Sequence, residues 1–449
     1  MAGRPGGGGT RMSLTPDTLF ARDTLWQSWL DVEAALARAQ AQLGVIPDWA
    51  ARTITEVATL DHLGRDAMVA DARRTMAPIL SLTRLLAKAA GKAGDYVHWG
   101  ATTQNIMQTG RILLIRQADR AIRARLARAS LRLGALAREE SGTLMAGRTN
   151  RQHALPITFG FKVAGWIEEM ERAEARMSDA ATRLFALPFG GAVGAMHAFG
   201  GEGRALNRQL AADLELRELL VPGRVVNDLF AEYVLSLSLL AMTIERIMTE
   251  AYALMAEEIG EVSERLDAGT VGSSTMPQKV NPKFVVRTIA QAVELRGLAG
   301  PALETGRSSH EGDAVANQLL SSVLDAAIPL AWRLAESFEE TLNRLTPNPV
   351  RMAENLNRSQ GAISAENLMM ALAPLAGRAQ AHDIVHHALE DGGASGLTED
   401  AGIRKYLEPA AIAAALDPAQ YLGDSVEIAL SGADLAQDLA VRFDPGVSG

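Results

Sequence analysis

The stretch Gly269–Pro282, GTVGSSTMPQKVNP, holds the residues best suited to chemistry: adjacent Ser273 and Ser274, followed by Lys279 and Asn281. A serine hydroxyl is a weak base at neutral pH because its alkoxide is costly. It becomes usable where backbone N–H dipoles and a cation such as Lys279 favour the anion in a closed, dry site. The glycines and prolines of the stretch disfavour a helix and point to a mobile loop that covers substrate, on which Met276 reads as a lid contact. Taken alone, a Ser-Ser pair reads as an ordinary polar connector.

Such a loop needs rigid elements to position it. Apolar positions recur at helical spacing through residues 16–43 (Leu25, Trp29, Val32, Leu36) and stop before Gly44 and Pro47. Further helices are expected at about 47–60 and 70–93, after which DYVHWGATTQN breaks the pattern as a loop. Helical periodicity resumes over 106–141, with Leu114, Ala118, Ile122, Leu126, Leu133 and Leu136 on one face, and again over 156–186. The longest apolar-periodic run lies between Val225 and Leu266, where Leu229, Tyr233, Leu237, Leu240, Ile244 and Ile247 recur every three or four residues while Val234, Met248 and Met255 widen the stripe. A helix apolar on more than one side is buried on more than one side. These central helices therefore read as a bundle whose surplus apolar surface is covered by other subunits. The expected division is an N-terminal helical domain at 1–105, a long-helix bundle at 106–350 carrying the loop, and a C-terminal helical domain at 351–449 after the breaks at Pro347 and Pro349.

Composition narrows the class. At 449 residues the chain supports a large core, and its Ala/Leu/Arg/Glu-rich make-up with 5% aromatics favours an all-α fold. The absence of cysteine excludes disulfides, thiolate nucleophiles and thiolate metal sites. A net charge of −9 with interspersed signs argues against a nucleic-acid groove, which needs a basic stripe with aromatic platforms. Val234–Met242 is strongly apolar, but Glu232 and Glu245 bracket it at a length too short for a bilayer, so no membrane partner is expected. The opening MAGRPGGGGTRM has no apolar run after its arginines and reads as a flexible arm rather than a signal peptide, which makes the cytoplasm the expected location. Nothing asks for a metal, nucleotide or flavin, so no cofactor is expected. His386 and His387 read as surface residues.

The string GSSTMPQKVNP matches, position for position, the GSSxMPxKxNP signature of the fumarase/aspartase superfamily, which includes argininosuccinate lyase, adenylosuccinate lyase and 3-carboxy-cis,cis-muconate cycloisomerase. HWGATTQNIMQT (98–109) resembles the family's HxGATSxDxxDT region and is nearest the cycloisomerase and adenylosuccinate lyase branch. GRTNRQHALPITFG (147–160) resembles GRTHxQxAxPxTxG, and VEAALARAQAQLGVIP (32–47), FGGAVGA (189–195) and residues 361–385 extend the likeness along nearly the whole chain.

The resemblance implies a homotetramer around a twenty-helix core, with each site built from three regions of three subunits and acting on a small dicarboxylate. By position, Ser273 would abstract the proton next to a carboxylate, and Lys279 and Asn281 would stabilise the resulting carbanion. Thr102 and Thr103, with Gln152, would hold carboxylates; Asn105, Asn150, Arg151, Ser274 and Met276 would line the site; His98 would sit near the leaving group. The chain departs from its family where a general-acid histidine usually follows the threonine of the second region: Asn150 stands there, and an amide cannot deliver a proton at neutral pH. His153 is a candidate substitute, and His310–Glu311 falls where related enzymes carry a similar pair. Asn105 and Gln108 replace two acidic residues, which would suit a more anionic or differently shaped substrate. The implied reaction is β-elimination from a C2-substituted succinate to give fumarate, most simply with C–N cleavage. Cycloisomerisation of a carboxymuconate and an inactive structural homologue are the other readings.

Overall fold

The computed structural model describes residues 14–447, so the glycine-rich amino-terminal stretch lies outside the described residues. Helices dominate, as the composition leads one to expect. In order they are α1 (Arg22–Gln42), α2 (Asp48–Val57), α3 (Leu60–Leu63), α4 (Arg65–Thr75) and α5 (Pro78–Ala90), then α6 (Thr103–Glu139). A hairpin of β1 (Leu144–Thr149) and β2 (Gln152–Thr158) leads into α7 (Phe159–Leu184), α8 (Gly203–Asp213) and α9 (Asn227–Leu254). After β3 (Val262–Glu264) and the serine-rich loop come α10 (Phe284–Gly297), α11 (Ala299–Thr305) and α12 (Ala314–Arg344), and then β4 (Leu345–Pro347). The chain ends in α13 (Pro349–Asn357), α14 (Ala365–Ala376), α15 (Arg378–Glu399), α16 (Ala401–Arg404), α17 (Pro409–Leu416) and α18 (Ser425–Phe443).

Local chemistry sets where these elements stop. The expected helix at 70–93 is two, because Met76 turns left-handed (φ +51°) and Pro78 can only open a new helix. The longest apolar period stops as a helix at Leu254 rather than near Leu266, since the chain turns at Gly260 (φ +64°) and extends as β3. At the start of α12 the Asp313 carboxylate accepts the N–H groups of Val315 and Ala316, together with Ser309 N–H and Oγ–H, and these bonds lower its pKa to about 2. By length and composition α9 and α12 could each cross a membrane, but 67% and 50% of their most apolar windows are buried within the protein, as core helices are.

The chain packs as two compact units, each assembled from non-consecutive stretches. The first takes residues up to Ile122, Arg176–Leu239 and Glu294–Arg333. Its core buries Trp29, Leu30 and Leu36 of α1, Ile115 and Ile122 of α6, Leu237 of α9 and Leu324 of α12. Buried Tyr233 donates its hydroxyl to Asp119, 2.7 Å away. The second unit takes Arg123–Ala175, Leu240–Val293 and the residues from Leu334 onward. It contains both antiparallel ladders, β1 with β2 and β3 with β4, and an apolar cluster around Leu368, Leu372, Ala381, Ile403 and Ile412.

Candidate active site

In the first unit the HWGATT segment runs from His98 to the start of α6. His98 has φ +60°, and its Nδ1 lies 2.5 Å from Glu33 Oε1 on α1. Glu33 is almost wholly buried, with a side chain 1% exposed, whereas the His98 ring keeps 21% of its surface open. A buried carboxylate on Nδ1 fixes that nitrogen as the donor and leaves Nε2 for exchange with a ligand. Gln40 on α1 donates to the Trp99 carbonyl at 2.8 Å, a second tie that holds the segment. Gly100 (φ +72°) must be glycine, since a Cβ there would lie 2.4 Å from the Phe199 ring. Gly100→Ala is accordingly expected to destabilise the protein by about 1–3 kcal/mol, checked by a thermal melt and by the exposure of the Trp99 indole.

Thr102 immediately precedes α6 and Thr103 opens it, so both stand where free backbone N–H groups favour a carboxylate. Asn105, expected to line the site, is fully buried instead. Its amide nitrogen donates to the Pro188 carbonyl (2.9 Å) and its oxygen accepts Gly191 N–H (3.0 Å), so it positions the 189–195 turn. An ionised Asp could not donate to Pro188, which gives the Asp-to-Asn departure a structural reason. Gln108 is likewise buried, 3.3 Å from both the Arg224 carbonyl and Asn227 Oδ1. His310 (φ +50°) and Glu311 are exposed in the segment before α12.

The second unit carries the other two regions. The β1–β2 hairpin closes with Thr149 paired to Gln152, leaving Asn150 and Arg151 as a two-residue turn with φ +50° and +65°. Positive φ at both central positions is what a type I′ turn requires, and asparagine tolerates it well. Asn150, Arg151, Gln152 and His153 are all exposed at this tip. Below the tip Arg148, paired across the strands with His153, forks onto Glu261 at 2.9 and 2.6 Å. Partial burial and then the Arg148 charge push His153 below its usual pKa. His153 is therefore mainly neutral at neutral pH, which suits it less to an acid's role than to a base's.

The serine-rich loop has no regular structure and is anchored at both ends. Asp267 meets Arg344 at 2.8 Å, a bond that holds the Asp267 carboxyl below its usual range. Glu264 accepts the N–H groups of Lys283, Phe284 and Val285, so its carboxylate caps α10. Asn281 N–H reaches the Gly272 carbonyl at 3.3 Å, and a Cβ on Gly272 would lie 2.7 Å from the Lys279 carbonyl oxygen. This narrow neck presents Ser273–Gln278 as a lobe. Ser273 is half-buried and its Oγ accepts Met276 N–H at 3.1 Å; Ser274, Met276 and Lys279 are exposed, and Asn281 is half-buried. Among the described residues, no hydrogen bond or ion pair joins this lobe to the Asn150–His153 tip.

Comparison with known proteins places this arrangement. The profile of a family described as Lyase matches residues 11–297, and that of the adenylosuccinate lyase C-terminus matches residues 361–430. Adenylosuccinate lyase of Methanothermobacter thermautotrophicus is 34% identical over 92% of this chain and 94% of its own. The chain belongs to the fumarase/aspartase superfamily of lyases. A 3-carboxy-cis,cis-muconate cycloisomerase of Bradyrhizobium diazoefficiens is 33% identical over 90% of this superfamily member and 92% of the relative. The crystal structure of a fumarate lyase from Mesorhizobium sp. BNC1 superposes with a TM-score of 0.86 at 33% identity, covering 94% of this chain and 99% of that one.

Glu33, which falls within the VEAALARAQAQLGVIP likeness, is brought to the candidate site through its bond to His98. It lies on the buried stripe of α1 formed by Trp26, Trp29, Leu30, Leu36, Ala37 and Gln40. A carboxylate on such a stripe needs a partner, and that was the available signal.

Proposed function

We propose that this lyase eliminates an amine from a C2-substituted succinate to give fumarate. The observation that carries the reading is Ser273 on its anchored lobe, with a backbone N–H already directed at Oγ (3.1 Å) and Lys279 at the neck of that lobe. Both favour the alkoxide. Ser273 Oγ takes the C3 proton; the electron pair of the broken C–H bond forms the C2=C3 bond as the C2–N bond breaks; Lys279 and Asn281 hold the enediolate between these events. Thr102, Thr103 and Gln152 bind the succinyl carboxylates. Protonated His98, its Nδ1–H held by Glu33, gives the leaving nitrogen its proton from Nε2, the task Asn150 cannot perform.

The three regions meet through assembly in this reading. The hairpin tip and most of the lobe are exposed on a single chain, as are Leu239, Met242 and Tyr252 of α9, which suits a homotetramer in which neighbouring subunits complete each site. A second reading, lactonisation of a carboxymuconate, is favoured by the amide of Asn150 itself, since addition of an internal carboxylate needs no acid there.

Ultraviolet absorbance during incubation with succinyl amines, nitrosuccinate and 3-carboxymuconate separates the two. Fumarate from a succinyl amine supports elimination; loss of muconate absorbance alone supports lactonisation; silence with every compound removes both. His98→Asn is expected to slow release of an amine about 100- to 10,000-fold, and Glu33→Gln to slow it in the same sense through kcat with little change in KM. Nitrite needs no proton to leave, so turnover of nitrosuccinate should be far less sensitive to either change. Equal losses on both substrates would sink the acid's role for His98.

A further inference from the structure

Arg224 is half-buried in the segment before α9, and its guanidinium meets only neutral oxygens. Nε donates to Gln104 Oε1 at 2.8 Å and Nη1 reaches the Ala192 carbonyl at 3.4 Å. Gln104 answers by donating to the Arg224 carbonyl at 2.8 Å, which fixes the residue from both ends. One face of the guanidinium lies against Gly312, where a Cβ would stand 3.3 Å from Cζ. Arg111, Arg148 and Arg344 each hold a carboxylate: Asp325 at 2.7 Å, Glu261 at 2.6 Å and Asp267 at 2.8 Å. Arg224 has none among the described residues. A fixed, partly desolvated guanidinium with donors left over is arranged for a planar anion that the protein does not supply.

Its position says which anion. Gln104 follows Thr102 and Thr103 in the first turn of α6, and Ala192 belongs to the turn that Asn105 ties to the same helix through Gly191. On the elimination reading, on which this inference rests, the threonines and Gln152 already account for the two succinyl carboxylates. We propose that Arg224 binds a carboxylate carried by the leaving amine, so that the substrate class is the N-succinyl adducts of amino acids. One unpaired guanidinium balances one planar monoanion.

The test uses the full-length protein and two probes, N-(1,2-dicarboxyethyl)glycine and N-(1,2-dicarboxyethyl)glycinamide, which differ in one carboxylate. Wild-type kcat/KM should favour the glycine adduct at least tenfold. Arg224→Gln, which keeps a donor for Ala192, should lower that ratio about tenfold or more, chiefly through KM, and Arg224→Lys should restore part of it. Binding is read apart from turnover by calorimetry in a Ser273→Ala background, where the glycine adduct should bind about tenfold tighter and lose that margin with Arg224→Gln. Equal turnover of both adducts by wild type and variant overturns the subsite and leaves elimination standing. No fumarate from either adduct, with the binding margin intact, overturns elimination and leaves the anion subsite. Absence of both binding and turnover overturns both.

Discussion

Ser273→Ala is expected to lower kcat about 100- to 10,000-fold, the range of a general base, while leaving KM and the melting temperature nearly unchanged. Three considerations set these expectations apart. In the proposed reading the succinyl carboxylates are bound by Thr102, Thr103 and Gln152, outside the lobe, so ground-state binding survives the loss of one hydroxyl. The lobe's shape comes from its neck and anchors, Asn281 to Gly272, Asp267 to Arg344 and Glu264 at the start of α10, none of which uses the serine side chain. Removing Oγ frees only the Met276 N–H, which lies in an exposed segment and can turn to water. A direct check is the exchange of the C3 hydrogen with solvent deuterium, followed by NMR on a succinyl amine: wild type should exchange or eliminate, and the variant should do neither. Retained exchange in Ser273→Ala would assign the base elsewhere; His153, mainly neutral at neutral pH, would be the next residue to test.

The long helices were legible because burial imposes a period on sequence: the stripe of Leu126, Leu133 and Leu136 in α6 is buried as its spacing demands. The serine lobe was legible for the opposite reason, since Gly, Pro and Ser at close spacing deny a helix its propensity and its N–H donors. The hairpin is not legible in the sequence, although Asn150 is a residue that suits positive φ; its strands are short, and β1 buries the adjacent Met145 and Ala146 instead of alternating. Asn105 looked like a ligand-binding residue in sequence because its burial against Pro188 and Gly191 depends on residues more than eighty positions away. The Glu33–His98 pair, sixty-five residues apart, was hidden likewise: each half was visible, but their contact belongs to tertiary structure.

Breaking the Arg148–Glu261 pair is expected to have the largest effect on stability. Glu261 is fully buried; its Oε1 accepts from Arg148 at 2.6 Å and from Asn355 at 2.9 Å, and its backbone carbonyl accepts Asn348 N–H at 2.9 Å. Arg148→Met would leave a buried carboxylate with only the Asn355 amide for company, at a cost of about 3–5 kcal/mol. The double variant Arg148→Met/Glu261→Leu should recover most of that loss, because desolvating two ions cancels much of their attraction and Asn355 keeps its bond to the Ile259 carbonyl at 2.8 Å. A denaturant midpoint measured for the two single variants and the double variant gives the coupling directly. Activity should not recover in parallel. Arg148 faces His153 across the ladder and sets the base from which Asn150–Gln152 project, so an apolar pair that restores stability leaves the tip without its bidentate brace. Recovery of both stability and kcat in the double variant would show that the pair serves folding alone, and that the hairpin tip takes its orientation from β1–β2 pairing without the ion pair beneath it.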